Sequence, residues 1–272
     1  MAAAVPPASA NRRIGLLSPY IPTNPWDVIL VIVVSVSATI LAYLPKPRWK
    51  ALIISLPIPF TLMVMAADRP LDATNVMGLF FLLFFHHSAR LLYQRFRIPI
   101  FLSIILSALG YCVLGSVSSL LLPKTDVAFW VTWSFVFLLG SYLIINQSDR
   151  IEPEYRTQLP VWIKLPTIVG VVILLILIRN ILQGFASVFP MVGVIAVYES
   201  RYCLWTISRQ IPVVMVSMST MMAAAYLVQQ HSSLPIALLT GWCVFLVIFG
   251  SITMWMWAKT PNLAQSPVNY PE

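Results

Sequence analysis

Charged residues are what this sequence has least of. Only 10% of its 272 residues are charged, whereas a typical soluble domain carries about 25%, and 59% are hydrophobic. A chain with so few charges cannot cover a folded surface with polar side chains in water. The mean hydropathy of +0.86 agrees with this and indicates a protein that crosses a membrane several times.

Cysteine and acidic residues are also scarce, and their placement excludes several functions. The three cysteines, Cys112, Cys203 and Cys243, lie far apart in or beside apolar stretches, so the sequence predicts neither a disulfide framework nor a metal site. The nine acidic residues fall at the ends of apolar runs, in loops or in the tail. A carrier coupled to protons or cations usually places a carboxylate in the membrane, which argues against that mechanism here. Catalytic residues are not predicted, and the sequence leaves any cofactor unknown.

The apolar runs predict an all-α transmembrane bundle with about nine spans. A bilayer core of about 30 Å requires roughly 20 apolar residues for each helix. The predicted spans, separated by short loops, are Val28–Leu44, Ala51–Ala67, Val76–Tyr93, Ile98–Leu122, Val127–Asn146, Trp162–Ile178, Phe185–Tyr198, Ile211–Val228 and Leu234–Ala258. Residues 1–26 form a proline-bearing tail without the pattern of a signal peptide, and residues 259–272 form a second tail.

The basic residues predict the orientation of the bundle. Cytoplasmic loops carry an excess of Lys and Arg, and the sequence has 17 such residues against nine acidic ones. With nine spans and the N-terminus outside, most basic residues face inside, and the C-terminus is inside as well. The few basic residues left outside are Arg12, Arg13, Arg69, Lys124 and Arg179.

The two halves of the sequence share a pattern that predicts an inverted repeat. An arginine, a proline and an acidic residue follow one another with the same spacing in both halves. They are Arg48, Pro59 and Asp68 in the first half and Arg179, Pro190 and Glu199 in the second. In the first half the loops after the first and third helices are the basic ones, whereas in the second half it is the middle loop. This reversal is expected if the two halves are antiparallel. The predicted organisation is a first four-helix repeat over 27–123, a linking helix and cytoplasmic loop over 124–160, and a second repeat over 161–258.

The second half resembles the GlpM-like family of small bacterial inner-membrane proteins. The resemblance covers roughly Trp162–Trp257, and its motifs there are Ile163-Lys164-Leu165, Phe189-Pro190, Glu199 with Arg201, and Leu234-Pro235. A weaker form of the pattern occurs in the first half, in Ile58-Pro59, Asp68-Arg69 and Ile98-Pro99. This chain differs in size, because it would be a fused, inverted pair with a linking helix. The resemblance implies a fold and a bacterial inner membrane, but no defined reaction.

Ionisable and helix-breaking residues inside the spans predict a substrate-binding site. Pro59 and Pro190 lie within two short spans, where proline interrupts the helix, so they could border one cavity or serve only as packing kinks. His86 and Arg90 share a helical face four residues apart and could bind an anion. Alternatively, Arg90 extends to the interface and the histidine bonds a backbone carbonyl.

Two charged pairs predict gate-like contacts on opposite sides of the membrane. Asp68 with Arg69 ends the second predicted span, and Glu199 with Arg201 ends the seventh. Each pair could instead be an ordinary helix end. Their equivalent places in the two halves favour a shared function.

These features favour a transporter-like protein that binds or moves a small solute or an anionic lipid headgroup. The alternative is a non-catalytic structural or accessory subunit of a larger membrane complex. Its partners in the membrane could be other subunits or further copies of this chain, as a homo-oligomer. A membrane enzyme ranks third: residues 86–90 and 146–150 resemble cytoplasmic motifs of steroid-reductase-like enzymes, but the second half lacks that family's catalytic pattern. The expected partners are the lipid bilayer and a cytoplasmic protein at the polar loop 148–156, and nucleic acid is not expected.

Overall fold

The structure is a computed structural model that describes residues 25–44, 46–147 and 184–259, with positions 162, 165–166, 168–170, 173 and 182 between them. Within these ranges it contains helices and no strand. The helices are α1 (Pro25–Tyr43), α2 (Pro47–Ser55), α3 (Ile58–Ala67), α4 (Ala73–Gln94), α5 (Ile100–Leu121), α6 (Asp126–Asn146), α7 (Phe185–Val188), α8 (Met191–Glu199), α9 (Leu204–Gln229) and α10 (Leu234–Lys259).

Seven helical segments are long and apolar enough to cross a membrane, and this agrees with the all-α transmembrane class predicted from the sequence. One of them, Arg48–Ala67, comprises α2 and α3. The segment Phe185–Glu199, which contains α7 and α8, is shorter. Most of the predicted sixth span, Trp162–Ile178, lies outside the described residues, as do the loop 148–156 and nearly all of both tails.

One end of the bundle is defined by contacts around Lys50 and is called the Lys50 face. The Lys50 ammonium donates a hydrogen bond of 3.1 Å to the backbone carbonyl of Glu199, which joins the start of α2 to the end of α8. At the same end, the Arg90 guanidinium lies 4.5 Å from the centre of the Trp205 ring. The end of α4 and the starts of α2 and α9 therefore meet on this face.

The opposite end is called the Asp72 face, after the residue that caps α4. The backbone N–H of Leu71 donates to the Gln229 side chain at 2.9 Å, and the Gln229 amide donates back to the Leu71 carbonyl at 3.1 Å. The Tyr226 hydroxyl donates to the Asp126 carboxylate, so the start of α6 also lies here. These bonds join the loop after α3 to the end of α9 and the start of α6.

Helix α9 is the centre of the bundle. Of its most apolar stretch 78% is buried, whereas the share in the other candidate spans is 22–44%. It packs against α10, α6, α4 and α2. In contrast, α5 and α6 expose large apolar side chains such as Leu109, Leu120 and Leu138 on one side, as helices in contact with lipid do.

Two element boundaries differ from those expected from the sequence. Helix α9 begins at Leu204, earlier than the predicted Ile211, and includes Ser208, Arg209 and Gln210. Those polar residues resemble a loop in a hydropathy pattern, but here they pack against other helices. The break in the second span falls at Leu56 and Pro57, and Pro59 lies in the first turn of α3, where its missing N–H breaks no helical hydrogen bond.

Candidate functional site

Two interrupted helices meet beside α4 and enclose a cavity. Helix α3 follows α2 after Leu56 and begins with Pro57 as its N-cap, and α8 follows α7 after Phe189 with Pro190 as its N-cap. Proline cannot donate a backbone hydrogen bond, so the helix is interrupted at both places. Both segments contribute to the same cavity of about 60 Å³, which we call the inner cavity.

His86 is the one ionisable side chain among the described residues that line the inner cavity. Its exposed fraction is 2%, and its Nε2 atom has no hydrogen-bond partner within the described part of the chain. Nε2 lies 3.0 Å from the position that a Cβ atom on Gly193 would occupy, which is closer than nearly all contacts of real Cβ atoms. The absent side chain at Gly193 therefore allows the imidazole to reach the interruption in the second segment.

The structure brings together three of the residues predicted from the sequence, because Pro59, His86 and Pro190 all line the inner cavity. Arg90 is separate from them. Its guanidinium is placed over the Trp205 ring and is not among the residues that line the cavity. The shared helical face of His86 and Arg90 thus does not place both side chains at one cavity.

A second cavity, of about 90 Å³, lies toward the Asp72 face and is called the outer cavity. Its charged lining residues are Arg69, Asp72 and Lys124. The Asp72 carboxylate accepts the backbone N–H of Thr74 at 2.9 Å and also accepts the Thr74 hydroxyl, so it caps α4. The two cations are exposed, whereas the carboxylate is engaged with the helix.

Ser187 lines both cavities and therefore lies between them. The Asn75 amide donates to the Ser187 hydroxyl at 2.8 Å and to the Gly184 carbonyl at 3.2 Å, and Ser187 donates to that same carbonyl at 2.6 Å. This network joins the first turn of α4 to α7. It therefore holds in place the one described residue that lines both cavities, Ser187.

Three residues of the gate-like pairs lie on different parts of the two faces. Asp68 ends α3 in the left-handed conformation, with φ of 47°, and is exposed on the Asp72 face. Glu199 is buried on the Lys50 face, where its carbonyl accepts the Lys50 bond. Arg201 lies near two aromatic rings, 5.1 Å from that of Tyr198 and 5.0 Å from that of Tyr202.

Sequence reasoning missed three residues of this region. From the sequence, Lys50 was counted only among the basic residues that predict the orientation, although its exposed fraction is 0%. Asn75 and Ser187 carry no charge and make their contact across a large sequence separation. An asparagine at the start of an apolar run was the available signal, because an amide inside a membrane protein requires polar partners.

Comparisons with known proteins did not identify a relative of this chain. No protein-family model, no curated protein and no solved structure matches the chain. The resemblance to the GlpM-like family therefore stays a prediction. Among the described residues, no three His, Cys, Asp or Glu side chains gather as a metal site would require.

Proposed function

We propose that this chain is a membrane transport protein whose substrate passes between the two interrupted helices. The observation that carries the proposal is the inner cavity, to which Pro59, Pro190 and the buried His86 all contribute. Interrupted helices near the middle of the membrane are where many transporters bind their substrates. A buried imidazole nitrogen without a partner costs free energy, about 1–3 kcal/mol, and a bound substrate recovers it.

The directions of the two interrupted segments support the proposed inverted repeat. The pair α2–α3 runs from Lys50 to the Asp72 face. The pair α7–α8 runs from Gly184, next to Asn75, to Glu199, next to Lys50. The segments are therefore antiparallel, and each resumes after its interruption with a proline N-cap. The finer architecture that we propose is nine spans, as two inverted four-helix repeats with a linking helix, in a bacterial inner membrane.

The alternative function, a non-catalytic accessory subunit, is favoured by the size of the inner cavity. A volume of about 60 Å³ has room for only a few water molecules. Typical sites for small organic ligands measure about 300–1,000 Å³. A bundle that never opens further would be a packed scaffold whose lipid-exposed sides bind other subunits.

Cysteine accessibility at Ser187 tests transport against the subunit function. Ser187→Cys is made in a chain whose three natural cysteines are replaced by alanine, and a membrane-impermeant thiol reagent is applied to each side of sealed vesicles. We expect labelling from both sides, because alternating access exposes Ser187, which lines both cavities, first to one side and then to the other.

The matched control is Ser217→Cys, since Ser217 is a buried serine that lines neither cavity among the described residues. It should remain unlabelled from either side. If Ser187→Cys reacts only from the Asp72 face, or not at all, the transport proposal is wrong and the accessory function is favoured.

A further inference from the structure

We infer that the transported substrate is a small inorganic or one-carbon anion, such as chloride, nitrate or formate; this inference rests on the proposed transport function. The first support is the charge of the outer cavity. Arg69 and Lys124 line it with exposed cationic side chains, and its single described carboxylate, Asp72, is occupied in capping α4. Two cations against one carboxylate give the described lining a net positive charge, which favours anions inside the cavity, whereas Asp68 and Asp126 lie on the same face but do not line it.

The second support is the chemistry of the inner cavity. Within the described residues its lining has no carboxylate, so a cation would meet no counter-charge there. His86 offers the unpartnered Nε2 atom, which donates a hydrogen bond when the ring carries its proton on that nitrogen. An anion accepts such a bond, and the surrounding apolar side chains strengthen the interaction by excluding water.

The third support is the connection between the two cavities. Ser187 lines both cavities and is hydrogen-bonded to Asn75, which, like Gly184, lines the outer one. The Asn75 side chain carries N–H groups, which stabilise an anion in transit. A shift of α7 relative to α4 breaks the bonds from Asn75 to Ser187 and Gly184 and joins the cavities into one passage from the Asp72 face to His86.

The size of the inner cavity limits the anion. A volume of about 60 Å³ has room for a few water molecules, and it admits an ion of one to a few heavy atoms. A phospholipid headgroup comprises a phosphate and its esterified alcohol and remains attached to a diacylglycerol, so it requires more space than this conformation offers. The size of the inner cavity therefore favours the small-solute form of the proposed function over the lipid-headgroup form.

The test is anion flux through the full chain reconstituted in liposomes. Vesicles are loaded in turn with potassium chloride, nitrate, formate or gluconate, and efflux is measured with valinomycin present to carry the counter-ion. We expect chloride, nitrate and formate to leave and the large gluconate to be retained. His86→Leu should slow efflux about tenfold or more, as loss of one hydrogen bond to an ion does.

His87→Leu is the matched control for that variant. In the unaltered chain the His87 Nδ1 atom contacts the Leu83 carbonyl of the same helix at 3.1 Å, and His87 does not line either cavity. Efflux from His87→Leu should match that of the unaltered chain. Equal rates for His86→Leu and the unaltered chain would overturn the assignment of His86 to the anion site.

A second variant keeps the test decisive if His86→Leu does not fold. Gly193→Ala retains the histidine but places a methyl group 2.8 Å from the Pro190 Cβ atom and 3.0 Å from the His86 Nε2 atom, so it displaces two side chains that line the inner cavity. It should slow nitrate and formate more than chloride, because the added methyl narrows the cavity. Gly250→Ala, where a Cβ atom meets nothing within 4 Å, should leave all three rates unchanged. An equal effect of both glycine variants would overturn the inference.

Failure of this inference can be distinguished from failure of transport itself. If Ser187→Cys reacts from both sides but none of the three anions moves, while methylammonium or glycerol does, the chain is a transporter of another substrate class. If fluorescent phospholipids are exchanged between leaflets and the anions are not moved, the anionic ligand is a lipid headgroup. Both results contradict a small-anion substrate.

Discussion

Lys50 is the buried residue with the clearest consequence for stability. Its side chain has an exposed fraction of 0%, and its ammonium donates to the Glu199 carbonyl at 3.1 Å. That carbonyl belongs to the last turn of α8, where helix carbonyls lack partners within the helix and where the macrodipole favours a positive charge. The bond fixes the end of one interrupted segment to the start of the other.

We expect Lys50→Met to lower the free energy of unfolding by about 2 kcal/mol, because methionine fills a similar volume but cannot donate to the carbonyl. Thermal unfolding of the purified protein in detergent measures the change. Lys46→Met, at the exposed N-cap of the same helix, should unfold like the unaltered chain. An unchanged or higher midpoint for Lys50→Met would mean that dehydrating the ammonium costs as much as the bond supplies.

At the residue scale, the sequence predicted part of the candidate site. Pro59, Pro190 and His86 stand out because proline and histidine are unexpected within apolar runs, and all three line the inner cavity. The Arg90 partner, Trp205, belongs to another helix, so helical spacing could not reveal it. The Lys50 bond to Glu199 joins residues 149 positions apart, a pairing that depends on how the helices pack.

At the scale of helices, small residues determine how closely α9 and α10 approach. A Cβ atom on Gly241 of α10 would lie 2.9 Å from the Met221 carbonyl and 3.1 Å from the Met221 side chain. The first of these neighbours is backbone and cannot move without shifting α9. Close approach through glycine is a common way for membrane helices to pack.

We expect Gly241→Ala to destabilise the protein by about 1–3 kcal/mol, since an extra methyl group in a tight contact forces the two helices apart. Gly250→Ala on the same helix should be neutral or slightly stabilising, because alanine favours the helix and the position is open. Unfolding in detergent compares the two variants. If Gly241→Ala is as stable as Gly250→Ala, the helices do not require this contact.

The positions of helices could be predicted more closely than their interruptions and ends. Five apolar runs between residues 25 and 147 correspond to candidate spans in the structure, because hydrophobic length alone determines them. The start of α9 at Leu204 was missed because Arg209 and Gln210 look like a loop. Burial by neighbouring helices makes those residues part of the helix, and a hydropathy pattern does not report which neighbours are present.

At the scale of the whole molecule, hydrogen bonds place most chain segments relative to two faces. Helix α6 starts at Asp126 on the Asp72 face, so Gln147 beyond its other end lies toward the Lys50 face. Gly184 returns at the Asp72 face, next to Asn75. Gln147 and Gly184 therefore lie toward opposite faces, as the proposed arrangement of nine spans requires.

The same faces give the expected orientation in the membrane. Most described basic residues near the ends of spans lie on the Lys50 face, and they are Lys46, Arg48, Lys50, Arg90, Arg95, Arg97 and Arg201. On the Asp72 face the described residues include Arg69 and Lys124. Because Lys and Arg tend to remain in the cytoplasm, we expect the Lys50 face inside and the outer cavity outside.

Labelling of single cysteines in intact cells tests both the number of spans and the orientation. In the cysteine-free chain, Arg179→Cys and His231→Cys should react with an impermeant maleimide, because both loops are expected outside. Asp149→Cys should react only after the cells are made permeable, which also shows that it is accessible. Reaction of Asp149→Cys in intact cells would reverse the orientation. If Arg179→Cys is protected while His231→Cys reacts, the predicted sixth and seventh spans do not cross the membrane. The second half then lacks four spans to match those of the first half, and the inverted repeat is wrong.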